Sequence, residues 1–511
     1  MKSLHLTILT LCLVCANGVQ AQVEVRSEAQ LTTSSGEHTP LWLNANKYGL
    51  SSLDKTNGYL RVGAFRSLEQ DSMRRWKRGF GADMALATGF TSDLVAQQMY
   101  GEIGWHAGLL TLGAKEQPME LKNAELSSGS QTLGINARPV PGIRLSLPDY
   151  WTIPGTRGWL AVKGHLFYGW TTDDGWQRDF TCSGKRTENT MLHTKAGYLR
   201  IRKPGRPFML ELGLETGCQF GGRSFITDNT GNFIMVKNEG GLSGLFHALV
   251  PGGSESVESD YKNKAGNHLG SYLLRATYDR KAWAIAVYAD HFFEDHSQMF
   301  FLDYDGYGTG EEWDKWKRFN WMVYDLRDML VGAELTLHRF PWVNHVVAEY
   351  IYTKYQSGPV YHDHTFTMSD HVAGQDNYYN NYIFTGWQHW GQVMGSPLYL
   401  SPLYNSDGRI CISNNRFWAI HLGISGTPPP APGLHYRLLA TWQKGFGTYI
   451  EPYPDPRRNF SLLAEADYAF PQASALGGWS VKGAFALDRG SLLGDNTGVQ
   501  FTIGKTITVN Q

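Results

Sequence analysis

The amino-acid sequence predicts an all-β protein, a transmembrane antiparallel β-barrel, on three observations. Period-2 alternation of apolar and polar residues recurs in segments of about ten residues, the length a tilted strand needs to cross a bilayer. The connections between these segments alternate between short turns and long tracts, as in outer-membrane barrels. Aromatics make up 13% and charged residues only 18% of a chain of 511 residues with 57 glycines, whereas a soluble domain carries roughly a quarter charged residues.

The chain opens with Lys2, an apolar run from Leu4 to Ala16, and Val19-Gln20-Ala21 as a small-residue cleavage site, so residues 1–21 read as a signal peptide and the mature chain starts at Gln22. Val14 fits poorly before a lipid-modified Cys15. Residues 22–57 are polar and mixed and are expected as an N-terminal periplasmic segment, with PLWLNANKYGL (Pro40 to Leu50) folding against the periplasmic mouth. The barrel is expected over 58–511, from a first strand near Tyr59 to Arg66.

Alternation is plain in four later segments. WLAVKGHLFY sets Leu160, Val162, Leu166 and Tyr168 against Trp159, Lys163 and His165; FMLELGLETG sets Phe208, Leu210, Leu212 and Leu214 against Glu211 and Glu215. WSVKGAFALD and VQFTIGKTITV repeat the pattern with Trp479, Val481, Phe485 and Leu487, and with Val499, Phe501 and Ile503. A sandwich shows the same period with its faces exchanged, so periodicity alone does not choose. Small or charged residues on the polar face, aromatics near strand ends and the alternating connection lengths favour a barrel. Short turns are expected at Lys203 to Gly205, Tyr278 to Arg280, His338 to Trp342 and Thr427 to Gly433. Long extracellular loops are expected over about 219–268, 291–327, 354–414 and 446–458. No later apolar run is long enough for a spanning helix.

Charge and cysteine content exclude other classes. Lys+Arg 46 against Asp+Glu 47 gives no field to attract nucleic acid. Cys182, Cys218 and Cys411 are too scattered for a disulfide framework. One bridge between Cys182 and Cys218, or free buried thiols, both fit.

Two tracts carry residues suited to sugars, whose faces stack on rings and whose hydroxyls pair with amides and carboxylates. In GQDNYYNNYIFTGWQHWGQVMG (Gly374 to Gly395), Tyr378, Tyr379, Tyr382, Trp387 and Trp390 interleave with Asn377, Asn380, Asn381, Gln388 and His389. The same composition also suits an aromatic girdle or loop packing in the barrel mouth. DYDGYGTGEEWDKWKRFNW (Asp303 to Trp321) adds Trp313, Trp316 and Trp321, with Lys317 and Arg318 as cations for acidic sugars. Asp303, Asp305, Glu311 and Glu312 break the EF-hand spacing, and His362, Asp363, His364, Asp370 and His371 lack a zinc motif. Neither a nucleophile elbow nor a P-loop is present, so no enzyme and no cofactor is expected.

Several stretches together resemble the Wzi-type capsule assembly proteins in their Bacteroidetes-like form: PLWLNANKYG, the tract from Gly113 to Trp170, DHFFED (Asp290 to Asp295) and DNYYNNYIFTGWQHWGQVMGSPL. The resemblance covers most of the mature chain. It implies an outer-membrane barrel of eighteen strands, a small helical or irregular periplasmic plug, and a non-catalytic surface lectin that attaches exported capsular polysaccharide. Polysaccharide, outer-membrane lipid and the export machinery are then the partners. The ending Thr508-Val509-Asn510-Gln511 departs from the terminal aromatic of many outer-membrane barrels. A porin or sugar channel is the first rival, with Lys163, His165, Glu211, Glu215, Glu334 and Glu349 either lining water or pairing to close the bore; an exported glycan-active enzyme is the second.

Overall fold

The computed structural model describes residues 22–510 apart from 72–73, 182–183, 229, 250–265, 295–300, 304–319, 323–326, 357–360, 363–371 and 374. Eighteen strands form one closed antiparallel sheet in which each strand pairs with the next in sequence and the last pairs with the first. In chain order they are β1 (Gln22–Ser35), β2 (Thr56–Arg66), β3 (Trp76–Thr88), β4 (Leu94–Trp105), β5 (Gly108–Ala114), β6 (Gly142–Thr152), β7 (Leu160–Trp170), β8 (Met191–Ile201) and β9 (Phe208–Phe220). Then come β10 (Asn267–Asp279), β11 (Trp283–Glu294), β12 (Met329–Leu337), β13 (His345–Tyr352), β14 (Phe417–Gly426), β15 (Leu434–Gly447), β16 (Pro452–Ala469), β17 (Trp479–Gly490) and β18 (Asn496–Asn510). Closure leaves no unpaired sheet edge, which a bilayer core would not tolerate.

The inverted wall expected from the alternation is present. Outward positions are apolar and exposed, among them Leu60, Val62, Leu86, Ile143, Leu145, Leu212, Leu214, Ile285, Val287, Ile420, Leu422 and Phe501. Inward positions between them are polar and buried, including Asp83, His165, Glu215, Asp290, Glu349, His421 and Asp488. Exposed Trp76, Trp105, Trp151, Trp159, Trp283 and Trp342 lie at strand ends or turns of a single edge, where a bilayer interface places amphipathic rings.

The four expected turns all fall at that edge; three lie within 202–207, 338–344 and 427–433, while of Tyr278 to Arg280 only Arg280 is in the turn 280–282, Tyr278 and Asp279 closing β10. The opposite edge carries the long connections 36–55, 115–141, 171–190, 221–266, 295–328 and 353–416.

Three expectations need correction. Gln22–Ser35 is a barrel strand, hydrogen-bonded to both β2 and β18, and not part of a separate segment. Its inward half is wholly polar (Glu24, Arg26, Glu28, Gln30, Thr32), while Ser27 and Thr33 dilute the apolar half, so its alternation is faint. The tract 446–458 is not a long loop; only 448–451 separate β15 from β16. Pro452, Pro454 and Pro456 misled there, yet alternate residues direct their N–H to one side, so these prolines cost ladder bonds on one side only.

The third correction concerns the interior. Irregular backbone fills the bore, but it enters from the long-connection edge. Connection 36–55 carries a short helix, α1 (Leu41–Asn44), whose four residues are all buried. Connection 115–141 reaches far down the bore, since Glu125 accepts from His435 at the short-turn end of β15 at 2.6 Å. Connection 171–190 holds α2 (Trp176–Thr181). Connection 221–266 contributes α3 (Gly241–Leu249), which packs on the outer wall over Cys218 and Phe220 of β9, with Tyr168 donating to the Leu245 carbonyl at 2.9 Å.

Candidate functional site

The plug is built from polar wall residues upward. Glu349 of β13 accepts from Ser127 Oγ at 2.6 Å, from the Ser128 N–H at 2.8 Å and from Tyr288 OH at 2.7 Å. Asp290 of β11 takes the Lys122 ammonium at 2.7 Å in a pair almost wholly removed from solvent. Trp42 of α1 donates to Thr441 Oγ1 at 3.1 Å, Thr441 lies 2.7 Å from His421 Nδ1, and His421 Nε2 donates to the Leu126 carbonyl at 2.8 Å. That relay satisfies wall and plug together, as burial of polar groups requires.

The inward residues named from sequence pair rather than line open water. Glu215 accepts from Tyr198 OH at 2.7 Å and Glu334 from Arg275 at 2.8 Å. Lys163 is bonded to Glu120, and His165 lies 3.1 Å from Thr194 Oγ1. A cavity of about 140 Å³ remains between connection 115–141 and the wall; its lining is more apolar than polar, with Leu133, Phe167 and Met394 beside Arg144, His165 and Glu215.

The aromatic stretch Gly374 to Gly395 is where sequence reasoning and structure part. Tyr378 and Tyr379 are 0% exposed and Trp387 1%. They pack with Phe292, Tyr399 and Phe417 in one apolar cluster inside the bore. Trp387 donates to the Thr132 carbonyl at 2.9 Å and lies over Gly217 of β9, where a Cβ would approach its ring to 2.2 Å. Gly217 is thus the slot that admits the indole. Tyr379 holds a left-handed backbone (φ 67), a conformation costly for a large residue unless its surroundings fix it.

The asparagines serve the backbone. Asn380 Nδ2 donates to the Ile412 carbonyl and Asn380 Oδ1 accepts the Ile412 N–H, each at 2.9 Å. Asn377 accepts from Asn415 at 2.6 Å, and Asn381 Oδ1 accepts the N–H groups of Ile383 and Phe384 at 2.9 and 3.0 Å. His389 is buried, donating Nδ1–H to the Arg138 carbonyl at 2.8 Å while Nε2 accepts the Thr172 N–H at 3.1 Å. Burial pushes its pKa down to about 4, so it is neutral. Tyr378, Tyr379, Trp387 and His389 offer no surface to a polymer; they are the plug core. Trp390 is partly exposed, with the Arg138 guanidinium 4.4 Å from its ring centroid. Trp313 and Trp316 lie outside the described residues, and Trp321 sits in a short strand, Asn320–Met322, with its side chain undescribed. The acid series Asp305, Glu311 and Glu312, the cations Lys317 and Arg318, and Asp363, His364, Asp370 and His371 also lie outside them. Among the described residues no group of three metal-ligating side chains forms.

An exposed aromatic platform does exist at the long-connection edge, in residues the sequence reading passed over. Arg186–Glu188, Arg223–Thr227 and Phe233–Lys237 form a three-stranded sheet. Its inner face sets Ile226 and Val236 on Ile383 and Phe384. Its outer face carries Phe225, Phe233 and Met235 with Arg186, whose guanidinium lies 4.0 Å from the Phe225 centroid and 5.7 Å from that of Phe233. Phe233 is 46% exposed and Tyr382, beside the sheet, 50%. Lys185 anchors that neighbour by donating to the Asn381 carbonyl at 2.6 Å. The missed signal was the hairpin RSFIT-DNTGN-FIMVK, two β-prone runs around a turn sequence, inside a tract treated wholly as loop.

No family model and no curated protein matches the chain. Solved structures do. The chain is similar to Wzi of Escherichia coli, described as an outer-membrane protein involved in group 1 capsule assembly and a carbohydrate-binding β-barrel, at 11% identity and a TM-score of 0.54, over 98% of this chain and 88% of that one. It is also similar to OccK3 (OpdO) of Pseudomonas aeruginosa at 11% identity and a TM-score of 0.45, over 96% of each chain. A third neighbour is OccK2 (OpdF) of Pseudomonas aeruginosa in complex with glucuronate, at 10% identity and a TM-score of 0.46, over 96% of this chain and 98% of that one. At these identities the likeness is one of fold: a large barrel of the outer-membrane kind.

Proposed function

We propose that this chain is an outer-membrane lectin that binds exported capsular polysaccharide and holds or organises the capsule at the cell surface. The observation that carries the reading is the solvent-facing platform of Phe225, Phe233 and Arg186, set on a barrel whose bore is occupied by its own chain. Outer-membrane barrels turn their long connections outward, which would present this platform to the exterior. Rings stack on the C–H faces of sugars, and a guanidinium pairs with uronate or phosphate groups. A polymer repeats its unit along many copies of the barrel, so a weak single site becomes an effective anchor through avidity. The description of Wzi as a carbohydrate-binding barrel supports the same reading.

The test is capture of cell-surface polysaccharide, from the organism that makes this protein, on the purified barrel in nanodiscs. Wild type should retain the polymer, and the double variant Phe225→Ala/Phe233→Ala should lose about tenfold, since stacking contributes roughly 0.5–1.5 kcal/mol per ring. Equal retention by both proteins removes the platform as the site. A channel is the alternative reading, and single-channel conductance separates the two.

A further inference from the structure

At the long-connection edge, the outer wall of β13 to β17 differs from the rest of the rim. Lys444 of β15, Arg458 of β16 and Arg489 of β17 occupy outward positions, because Gln443, Asn459 and Asp488 beside them are buried inward. Lys354, just past β13, and Arg416, just before β14, continue the row. Elsewhere the same level of the outer wall carries Thr33, Thr88, Leu94, Ile143 and Trp170. Three of the five cations stand above rings: Lys354 and Lys444 lie 4.3 and 5.6 Å from the Phe446 centroid, and Arg416 lies 3.6 Å from that of Tyr449, while Arg489 donates to the Asp488 and Asn496 carbonyls at 2.7 and 2.8 Å. Trp418 and Trp442 form an edge-to-face pair on the same strands, and Phe460 is exposed between Arg458 and the apolar band.

Two features call for an external anion. Lys444 sits directly opposite Arg458 in the ladder, a like-charge pairing that destabilises a sheet unless something neutralises it. Among the described residues, none of the five cations has a carboxylate within ion-pair distance. The nearby acids are engaged elsewhere: Asp488 points inward to Ser461 and the Leu41 N–H, and Glu451 takes Arg409. The row also faces sideways, continuous with the apolar wall, and not into the mouth.

We infer that this arc is a binding site for the phosphorylated headgroup of a lipid in the surrounding leaflet, its acyl chains lying on the apolar band below. Cations placed at the headgroup level are attracted to anionic lipid, and aromatic rings beside them suit the interface. The inference rests on the membrane placement used above, but not on the carbohydrate platform, which lies on other strands.

The experiment uses the full mature chain in detergent, incubated with bisphosphorylated lipid A or with its fully dephosphorylated form, and counts retained lipid by native mass spectrometry. Wild type should keep the phosphorylated lipid in preference to the dephosphorylated one. The variant Lys354→Gln/Lys444→Gln/Arg458→Gln should lose about tenfold or more of that retention while keeping polymer capture and the heat-resistant folded band on gels. Equal retention of both lipids by wild type, or undiminished retention by the folded variant, overturns the inference. Displacement of the lipid by millimolar inorganic phosphate, or loss of polymer capture in place of lipid retention, would overturn it too, assigning the arc to free anions or to the polymer. A wild-type protein that stays folded without detergent would instead sink the membrane placement itself.

Discussion

The plug core and the mouth platform are both rich in rings, yet they do opposite work. In the stretch Asn377 to Trp390, the buried rings of Tyr378, Tyr379 and Trp387 each face another ring or a glycine slot, and the asparagines and His389 satisfy irregular backbone that would otherwise be buried unpaired. At the platform, Phe225 and Phe233 lie on the outer face of a regular sheet whose backbone needs are already met by its ladder. Rings beside amides signal a binding surface only when the amides are free. Here they are spent on the chain itself.

That contrast is testable from its strongest consequence downward. Trp387→Ala empties the slot over Gly217 and should destabilise the plug by about 3–5 kcal/mol, read as a lower urea midpoint of the tryptophan signal in detergent. An unchanged midpoint would mean the indole is not part of a packed core. Acid should loosen the plug next. His389 is neutral when folded, with a pKa of about 4 against an ordinary 6.5, so its contribution is whole above pH 6.5 and is lost as pH falls toward 4. The loss is on the order of 3 kcal/mol, and His389→Gln should flatten that part of the pH–stability curve.

Smaller effects follow. Ser128→Ala removes one side-chain donor, the Ser128 hydroxyl, from Glu349 but leaves the Ser128 N–H and the hydroxyls of Ser127 and Tyr288 in place. It should cost about 1–2 kcal/mol by the same urea assay. Phe225→Ala/Phe233→Ala should shift stability by only about 0.5 kcal/mol, as exposed substitutions do, while polymer capture falls. If that double variant were as disruptive as Trp387→Ala, the platform would be core and the contrast would fail.

How much of this was legible in the chain follows from the same physics. The wall was, because a lipid outside and a polar bore inside impose strict alternation, as in Leu210 to Glu215 and Trp479 to Asp488. β1 escaped because Ser27, Ala29 and Thr33 weaken its outward half, and the first seven residues of β16, which hold Pro452, Pro454 and Pro456, fell in the loop expected over 446–458. The inward acids were found, but their partners were not, since Ser128, Lys122 and Leu126 come from a connection more than a hundred residues away in sequence from Glu349, Asp290 and His421. The aromatic stretch was found and misassigned: composition is the same for a dry plug and a wet lectin site, and only the path of the chain distinguishes them. The cationic arc was invisible for a related reason, because Lys354, Arg416, Lys444, Arg458 and Arg489 become neighbours only when five strands close side by side.

The chain's own residues pack the bore. Single-channel recording of the purified protein in a planar bilayer tests it most directly. Near silence is expected at neutral pH from wild type, with discrete openings from Trp387→Ala. A large, steady, ohmic current from wild type would mean an open bore and make the protein a channel.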